Sequence, residues 1–132
     1  MVRGLGTDLV EIERVEAIVT RHGDAFLRKV FTERERLAFG PRDGEMPDDG
    51  STWLQQVAAR YAAKEAALKA LGTGWGQGLS WHHVEVLGGR GSPPTLELSG
   101  PARERLAALG ADAALVSLTH TENLAGATVL LT

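Results

Sequence analysis

The chain contains no cysteine. That excludes disulfides, thiolate metal sites and cysteine nucleophiles, and it fits a reducing compartment. No apolar run approaches the roughly 20 residues needed to cross a bilayer. The opening MVRGLGTDLVEIER carries acids where a signal peptide has its apolar stretch. A cytoplasmic protein with no membrane partner is the expectation. A basic excess is lacking too. With 14 Lys and Arg against 17 Asp and Glu, the formal net charge is −3, so no nucleic-acid partner is expected.

What is present is an ordinary globular composition, 43% hydrophobic and 23% charged. The 132 residues suffice for one compact domain, 1–132, with a modest core. Small domains bury a lower fraction of their surface than large ones, which makes an oligomer a reasonable expectation.

Residues 2–7 read as a short strand, with Gly4 and Gly6 where another backbone can come close. Ile12, Val15, Ile18 and Val19 then recur at helical spacing up to Gly23. Asp24 starts a short helix, and Thr32 to Glu35 has capping-box spacing for another that runs to Phe39. The stretch 40–50, GPRDGEMPDDG, reads as a mobile loop. After Ser51 or Thr52 comes the longest helix, about 53–71, alanine-rich and free of proline and glycine, with Gly72, Thr73 and Gly74 stopping it. Strands follow around Val84–Leu87 and Thr95–Leu98, then a helix from Pro101 to Gly110, then strands at 114–119 and 125–131 around a polar turn. This order predicts an α+β fold, with a mainly antiparallel sheet packed against helices that include the long central one.

The long helix raises two questions. Leu54, Val57, Ala58, Tyr61, Ala62, Leu68 and Leu71 lie along one stripe, and Glu65 falls on the same stripe. A carboxylate there is costly unless a cation or hydrogen bonds compensate it. Either Glu65 sits at the edge in a solvated pair with Lys69, four residues on, or it points into a site and binds a metal. Arg60 and Lys64, one turn apart on an adjacent face, are either solvated on an exposed surface or form a phosphate site. Asp8, at the expected handover from strand to helix, is accounted for as a helix cap with Glu11 three residues on, or as a ligand. The 72–74 loop reads equally as a helix C-cap or as N–H groups free for a phosphate.

Three segments resemble one family, the holo-acyl-carrier-protein synthases, the small trimeric class of 4′-phosphopantetheinyl transferases. They are Gly4-Leu5-Gly6-Thr7-Asp8-Leu9-Val10 with Arg14, then Ala59 to Ala66 continuing through Lys69 to Gly74, and Val116-Ser117-Leu118-Thr119-His120-Thr121. The resemblance spans nearly the whole chain. It implies the 4′-phosphopantetheinyl transferase fold, and the transfer of the 4′-phosphopantetheine arm of coenzyme A onto a serine of an apo acyl carrier protein, in support of fatty acid biosynthesis. It implies Mg²⁺ held by Asp8 and Glu65, with Glu65 and Lys69 as catalytic groups. Val10 stands where the larger, pseudodimeric transferases carry a second acid.

The same resemblance assigns Arg60, Lys64, Gly72, Thr73, Gly74, Thr119, His120 and Thr121 to coenzyme A. It implies an acidic carrier protein, for which Arg14, Arg21, Arg28 and Lys29 on the first two helices are candidate contacts, and of these the resemblance carries over Arg14. It implies a homotrimer with active sites at subunit interfaces. Leu115 departs from the histidine that many relatives have there. Two other readings remain: a non-catalytic coenzyme A or nucleotide binder on the same trimer, against which Asp8, Glu65 and Lys69 argue, and a structural oligomerisation module, which leaves the cations at 60 and 64 unexplained.

Overall fold

The computed structural model describes residues 1–40, 51–76, 78–89 and 91–132. The elements in order are β1 (Gly4–Glu11), α1 (Ile12–His22), α2 (Asp24–Val30), α3 (Glu33–Phe39), α4 (Ser51–Leu71), a 3₁₀ turn (Trp81–His83), β2 (Val84–Leu87), β3 (Thr95–Leu98), α5 (Gly100–Ala108), β4 (Ala114–His120) and β5 (Leu124–Leu131). The fold is α+β with antiparallel sheets, as expected. Of the stretch 40–50 only Gly40 is described, so the expected mobile loop lies outside the described residues.

One sheet has the order β1-β5-β4, and β2 and β3 form a separate antiparallel pair. In the three-stranded sheet Ala125, Ala127, Val129 and Leu131 of β5 point into the core. The alternate residues of the strands point away from it, and Leu5, Leu9 and Leu115 are exposed there.

α4 lies across the inner face of this sheet. Alanine favours the helix intrinsically, and here it also lets neighbours approach from every side. Ala58, Ala59, Ala62, Ala63, Ala66, Ala67 and Ala70 are all buried. A helix covered all round is a central core element. The expected single apolar stripe is therefore too narrow: from Val57 to Leu71 only Tyr61, Glu65 and Lys69 reach the surface. These are spaced i, i+4, i+8 and form one open seam.

The contact between β1 and α4 is set by glycine. A Cβ on Gly6 would stand 2.0 Å from the Ala66 carbonyl oxygen, and one on Gly4 would stand 2.5 Å from that of Ala70. No side chain fits at either point, so the strand lies directly on the helix backbone.

α4 ends in a Schellman motif. Gly72 at φ +72° donates its N–H to the Lys69 carbonyl, and the Thr73 N–H goes to the Leu68 carbonyl. From α5, Arg105 Nε donates to the last carbonyl, Leu71 O, at 2.9 Å. The Thr32–Glu35 capping box forms as the spacing predicts: the Glu35 N–H donates to Thr32 Oγ1 and the Thr32 N–H to Glu35 Oε1.

Gly6→Ala tests the close approach. It should destabilise the fold toward the upper end of the about 1–3 kcal/mol typical of overpacking, measured by urea unfolding. A loss within the about 0.5 kcal/mol of an ordinary surface change would contradict the contact.

Candidate active site

β1 differs from its expected span in a way that matters. It runs on past Asp8 to Glu11, paired throughout with β5, and Asp8 stands opposite Ala127. Asp8 is thus a mid-strand residue. The N-cap of α1 is Glu11, with no side-chain capping bond. The cap reading of Asp8 is overturned, because pairing with β5 prolongs the strand by four residues. By alternation Asp8 shares the inward face with Gly4, Gly6 and Val10. Gly4 lies at Ala70 and Gly6 at Ala66, so the next inward residue meets the preceding turn of α4. That turn carries Tyr61, Ala62 and Glu65.

Lys69 Nζ donates to Asp8 Oδ1 at 2.9 Å and to the Thr7 carbonyl at 3.0 Å. The expected Lys69–Glu65 pair along the helix is replaced by this pair across to the strand. The half-buried Glu65 carboxylate stands one helical turn after the half-buried Tyr61, on the same side of α4. Burial first, then the charge of Glu65, push the Tyr61 phenol up from its ordinary value; its closeness to the Glu65 carboxylate and the charge of Asp8 add to this, and Arg14 opposes it. Tyr61 therefore feels both carboxylates and Arg14 at once. Phe26, Tyr61, Trp81 and Trp75 form a continuous aromatic wall beside the seam, with the Tyr61 and Trp81 ring centroids 5.4 Å apart.

Arg60 and Lys64 correct the sequence reading most sharply. Both are fully buried rather than exposed. Lys64 Nζ donates to Glu35 Oε1 at 2.7 Å, to the Trp81 carbonyl at 3.0 Å and to the Val84 carbonyl. All three ammonium protons are used. Burial pushes Lys64 down from its ordinary value, and the Glu35 carboxylate only partly offsets this. Arg60 donates to the Gln56 carbonyl and to Gly88 O, the latter at 2.7 Å, and lies over the Phe39 ring.

Above Arg60 a groove of about 280 Å³ is lined by Gln56, Ala59, Gly89, Val116, Ser117 and His120, among others. His120 and Thr119 are exposed at the end of β4. Thr121 starts the turn, its Oγ1 accepting from the N–H groups of Asn123 and Leu124. In the 72–74 loop the Gly72 and Thr73 N–H groups are spent on the helix cap, which leaves Gly74 as the loop's only N–H outside that cap. Arg14 and Arg21 on α1 and Arg28 on α2 are exposed, as is Lys29. Arg28 stands 3.9 Å from Asp24.

The structure thus pairs Asp8 with Lys69, sets Glu65 on the same seam of α4, and leaves Tyr61 within reach of the charges of Glu65, Arg14 and Asp8; it places His120 at the groove, while Arg60 is buried beneath its wall. Tyr61, Glu35 and Trp81 are site-supporting residues that the sequence reading missed. The signal for Tyr61 was available: it is the chain's one tyrosine, and it stands four residues before Glu65. Among the described residues no cluster of three or more His, Cys, Asp or Glu could hold a metal. Two carboxylates suit a hard cation that keeps water and takes further oxygens from its substrate, which fits Mg²⁺.

A single tyrosine makes the electrostatics measurable. Absorbance titration should give a midpoint above the ordinary value of about 10. The sign follows from the raised value: the stability this group contributes is present below about pH 10 and is lost as pH rises through the folded midpoint. Glu65→Gln should lower the midpoint. A wild-type midpoint at or below the ordinary value would contradict the placement of Glu65 beside the phenol.

Residues 4–126 match the 4′-phosphopantetheinyl transferase superfamily. The holo-[acyl-carrier-protein] synthase of Solidesulfovibrio magneticus is 45% identical over 131 residues, covering 99% of this chain and 98% of its own. That of Solibacter usitatus is 38% identical with the same coverage. Among solved structures, the Neisseria meningitidis holo-[acyl-carrier-protein] synthase has a TM-score of 0.80 at 29% identity, covering 100% of this chain and 99% of that one. The Bacillus anthracis enzyme, in complex with coenzyme A (3′,5′-ADP), has a TM-score of 0.75 at 32% identity, covering 99% and 96%. Sequence, fold and site agree: the chain belongs to the 4′-phosphopantetheinyl transferase superfamily.

Proposed function

We propose that the chain, as one domain over residues 1–132, transfers the 4′-phosphopantetheine group of coenzyme A to a serine of an apo acyl carrier protein, releasing 3′,5′-ADP and serving fatty acid biosynthesis. The observation that carries this reading is the open seam of an otherwise buried helix, with Tyr61, Glu65 and Lys69, set against Asp8 on β1. Family membership supplies the reaction class. The Helicobacter pylori relative was solved in complex with coenzyme A, at 25% identity and a TM-score of 0.76.

In this reading the carrier's serine oxygen attacks the β-phosphorus of coenzyme A. A new O–P bond forms and the bond to the bridging oxygen breaks, so that 3′,5′-ADP departs. Asp8 and Glu65 would hold Mg²⁺, which neutralises pyrophosphate charge when bound. Lys69 is exposed on a flexible stem, and its ammonium can turn from Asp8 to the transferring phosphate. The serine proton leaves toward Glu65, directly or through water. Catalysis is mostly positioning and charge neutralisation.

For the nucleotide we assign Thr119, His120 and Thr121 and the groove above Arg60, with Gly74 and the side chain of Thr73 from the loop whose first N–H groups the cap consumes. Lys64 we assign to the framework, since its three protons already have acceptors. Arg14, Arg21 and Arg28 face outward to meet the acidic carrier protein. Arg14, whose charge also reaches Tyr61, stands nearest the chemistry.

A homotrimer with sites at its interfaces is part of the same proposal. What supports it is the outer face of the sheet, where Leu5 is 62%, Leu9 67% and Leu115 55% exposed. Between these leucines lie Thr7, Ser117, Gly126 and Thr128, with no charged residue. A second copy of the chain suits such a face. Leu115, where many relatives have histidine, lies on this face beside Leu130. Among the described residues no helix is long and apolar enough to cross a membrane. We place the reaction in the cytoplasm with its two substrates.

Purified protein with Mg²⁺, coenzyme A and an apo carrier protein should add the arm's mass to the carrier, read by mass spectrometry. No addition to any of several carriers would sink the proposal. Asp8→Ala and Glu65→Ala should each lower kcat by at least about a hundredfold while keeping the far-UV dichroism of the parent. A variant with near-normal turnover removes that residue from the site. Light scattering should give three times the 14.1 kDa chain mass; a monomer at micromolar concentration would refute the trimer.

A further inference from the structure

Among the described residues, three charged side chains are fully buried: Glu35, Arg60 and Lys64. Two of them pair, at the meeting point of four segments. Glu35 Oε1 takes the Lys64 ammonium at 2.7 Å and the Thr32 N–H at 3.0 Å, and its Oε2 takes the Val86 N–H at 3.0 Å. Lys64 also donates to the carbonyls of Trp81 and Val84. α3, α4, the 3₁₀ turn and β2 are therefore tied at one ion pair with every donor and acceptor engaged.

Burying such a pair is costly, and apolar residues of similar volume would often stabilise a fold as well or better. What the pair can supply is specificity. α4 needs that, because its buried surface is mostly alanine. Methyl groups make shallow ridges and do not interlock as branched or aromatic side chains do. The glycine contacts with β1 fix how close the helix lies but restrain its rotation about its own axis only weakly.

Lys64 immediately precedes Glu65, about 100° around the helix. We infer that Glu35 and Lys64 act together as positioning residues, setting the roll of α4 that turns Glu65 toward Asp8. This rests on the reading of Asp8 and Glu65 as the metal-binding site. Any roll of α4 withdraws the Lys64 ammonium from three acceptors at once. The same ammonium holds the Trp81 carbonyl, and the Trp81 ring stacks on Tyr61, the phenol that feels the Glu65 charge. The pair thus holds both the helix and the aromatic wall beside it.

The test uses the full chain, the double variant Glu35→Leu/Lys64→Met and the single variant Glu35→Gln. Mn²⁺ affinity is read by electron paramagnetic resonance, the aromatic wall by near-UV dichroism, and turnover as separate kcat and KM for coenzyme A. The folded double variant should lose at least about tenfold in Mn²⁺ affinity, the lower end for residues that orient metal ligands. Its kcat should fall more than its KM changes, and the near-UV signal should change. Glu35→Gln should move all three in the same direction by less. A folded double variant with parental Mn²⁺ affinity, kcat and near-UV signal overturns the inference. If the double variant does not fold, the same parental values in Glu35→Gln overturn it. If the unmutated chain binds no Mn²⁺, the reading of the site falls instead, and the near-UV signal alone decides the role of the pair: change in Glu35→Gln supports it, no change overturns it.

Discussion

The close approach of β1 to α4 is the constraint on which the rest depends. Gly6 and Gly4 present bare backbone to the carbonyls of Ala66 and Ala70, and nothing larger than a hydrogen atom fits there. Because side chains alternate along a strand, the same inward face delivers Asp8 two residues later. A bulkier strand would hold Asp8 away from the helix, and Lys69 could not reach it. Packing geometry and site geometry are therefore one requirement. The alanines of α4 meet the helix side of it by allowing contact on nearly every face.

The charges of α4 fall into two classes, and magnitudes separate them. Lys69 is 56% exposed and its partner Asp8 18%, and a pair whose cation keeps this much water is worth little more than the about 0–1 kcal/mol of a surface pair. It can be given up for a phosphate at little cost. Lys64 is wholly buried with Glu35, where removing one partner typically costs about 3–5 kcal/mol. Its place is set by the fold. One helix thus carries a cation that can move to a substrate and another that cannot, five residues apart.

Much of the architecture was legible in the sequence, because its signals are local. Glycines, the Thr32–Glu35 spacing and the alanine run mark the ends and types of most elements, and the glycines of β1 read correctly as close-approach points. The misreadings share a cause, which is partners distant in sequence. Asp8 looked like a cap because nothing nearby shows that Leu124 to Ala127 prolong the strand. Arg60 and Lys64 looked exposed because Glu35, Trp81 and Gly88 lie from 17 to 29 residues away. Lys69 looked like the partner of Glu65, one turn along the helix, while the strand offers it Asp8. Joining Asp8 to Glu65 from sequence required the family resemblance. In the structure, the glycine contacts and the strand alternation put Asp8 on the face of β1 that lies on α4, where Lys69 reaches it.

A crystal structure of the chain with coenzyme A and Mg²⁺ tests this account most directly. The account predicts the metal bound by both Asp8 and Glu65, the pyrophosphate completing its coordination, and Lys69 turned from Asp8 toward the phosphate. Coenzyme A seated away from the seam, or a metal bound without one of these two carboxylates, would contradict it.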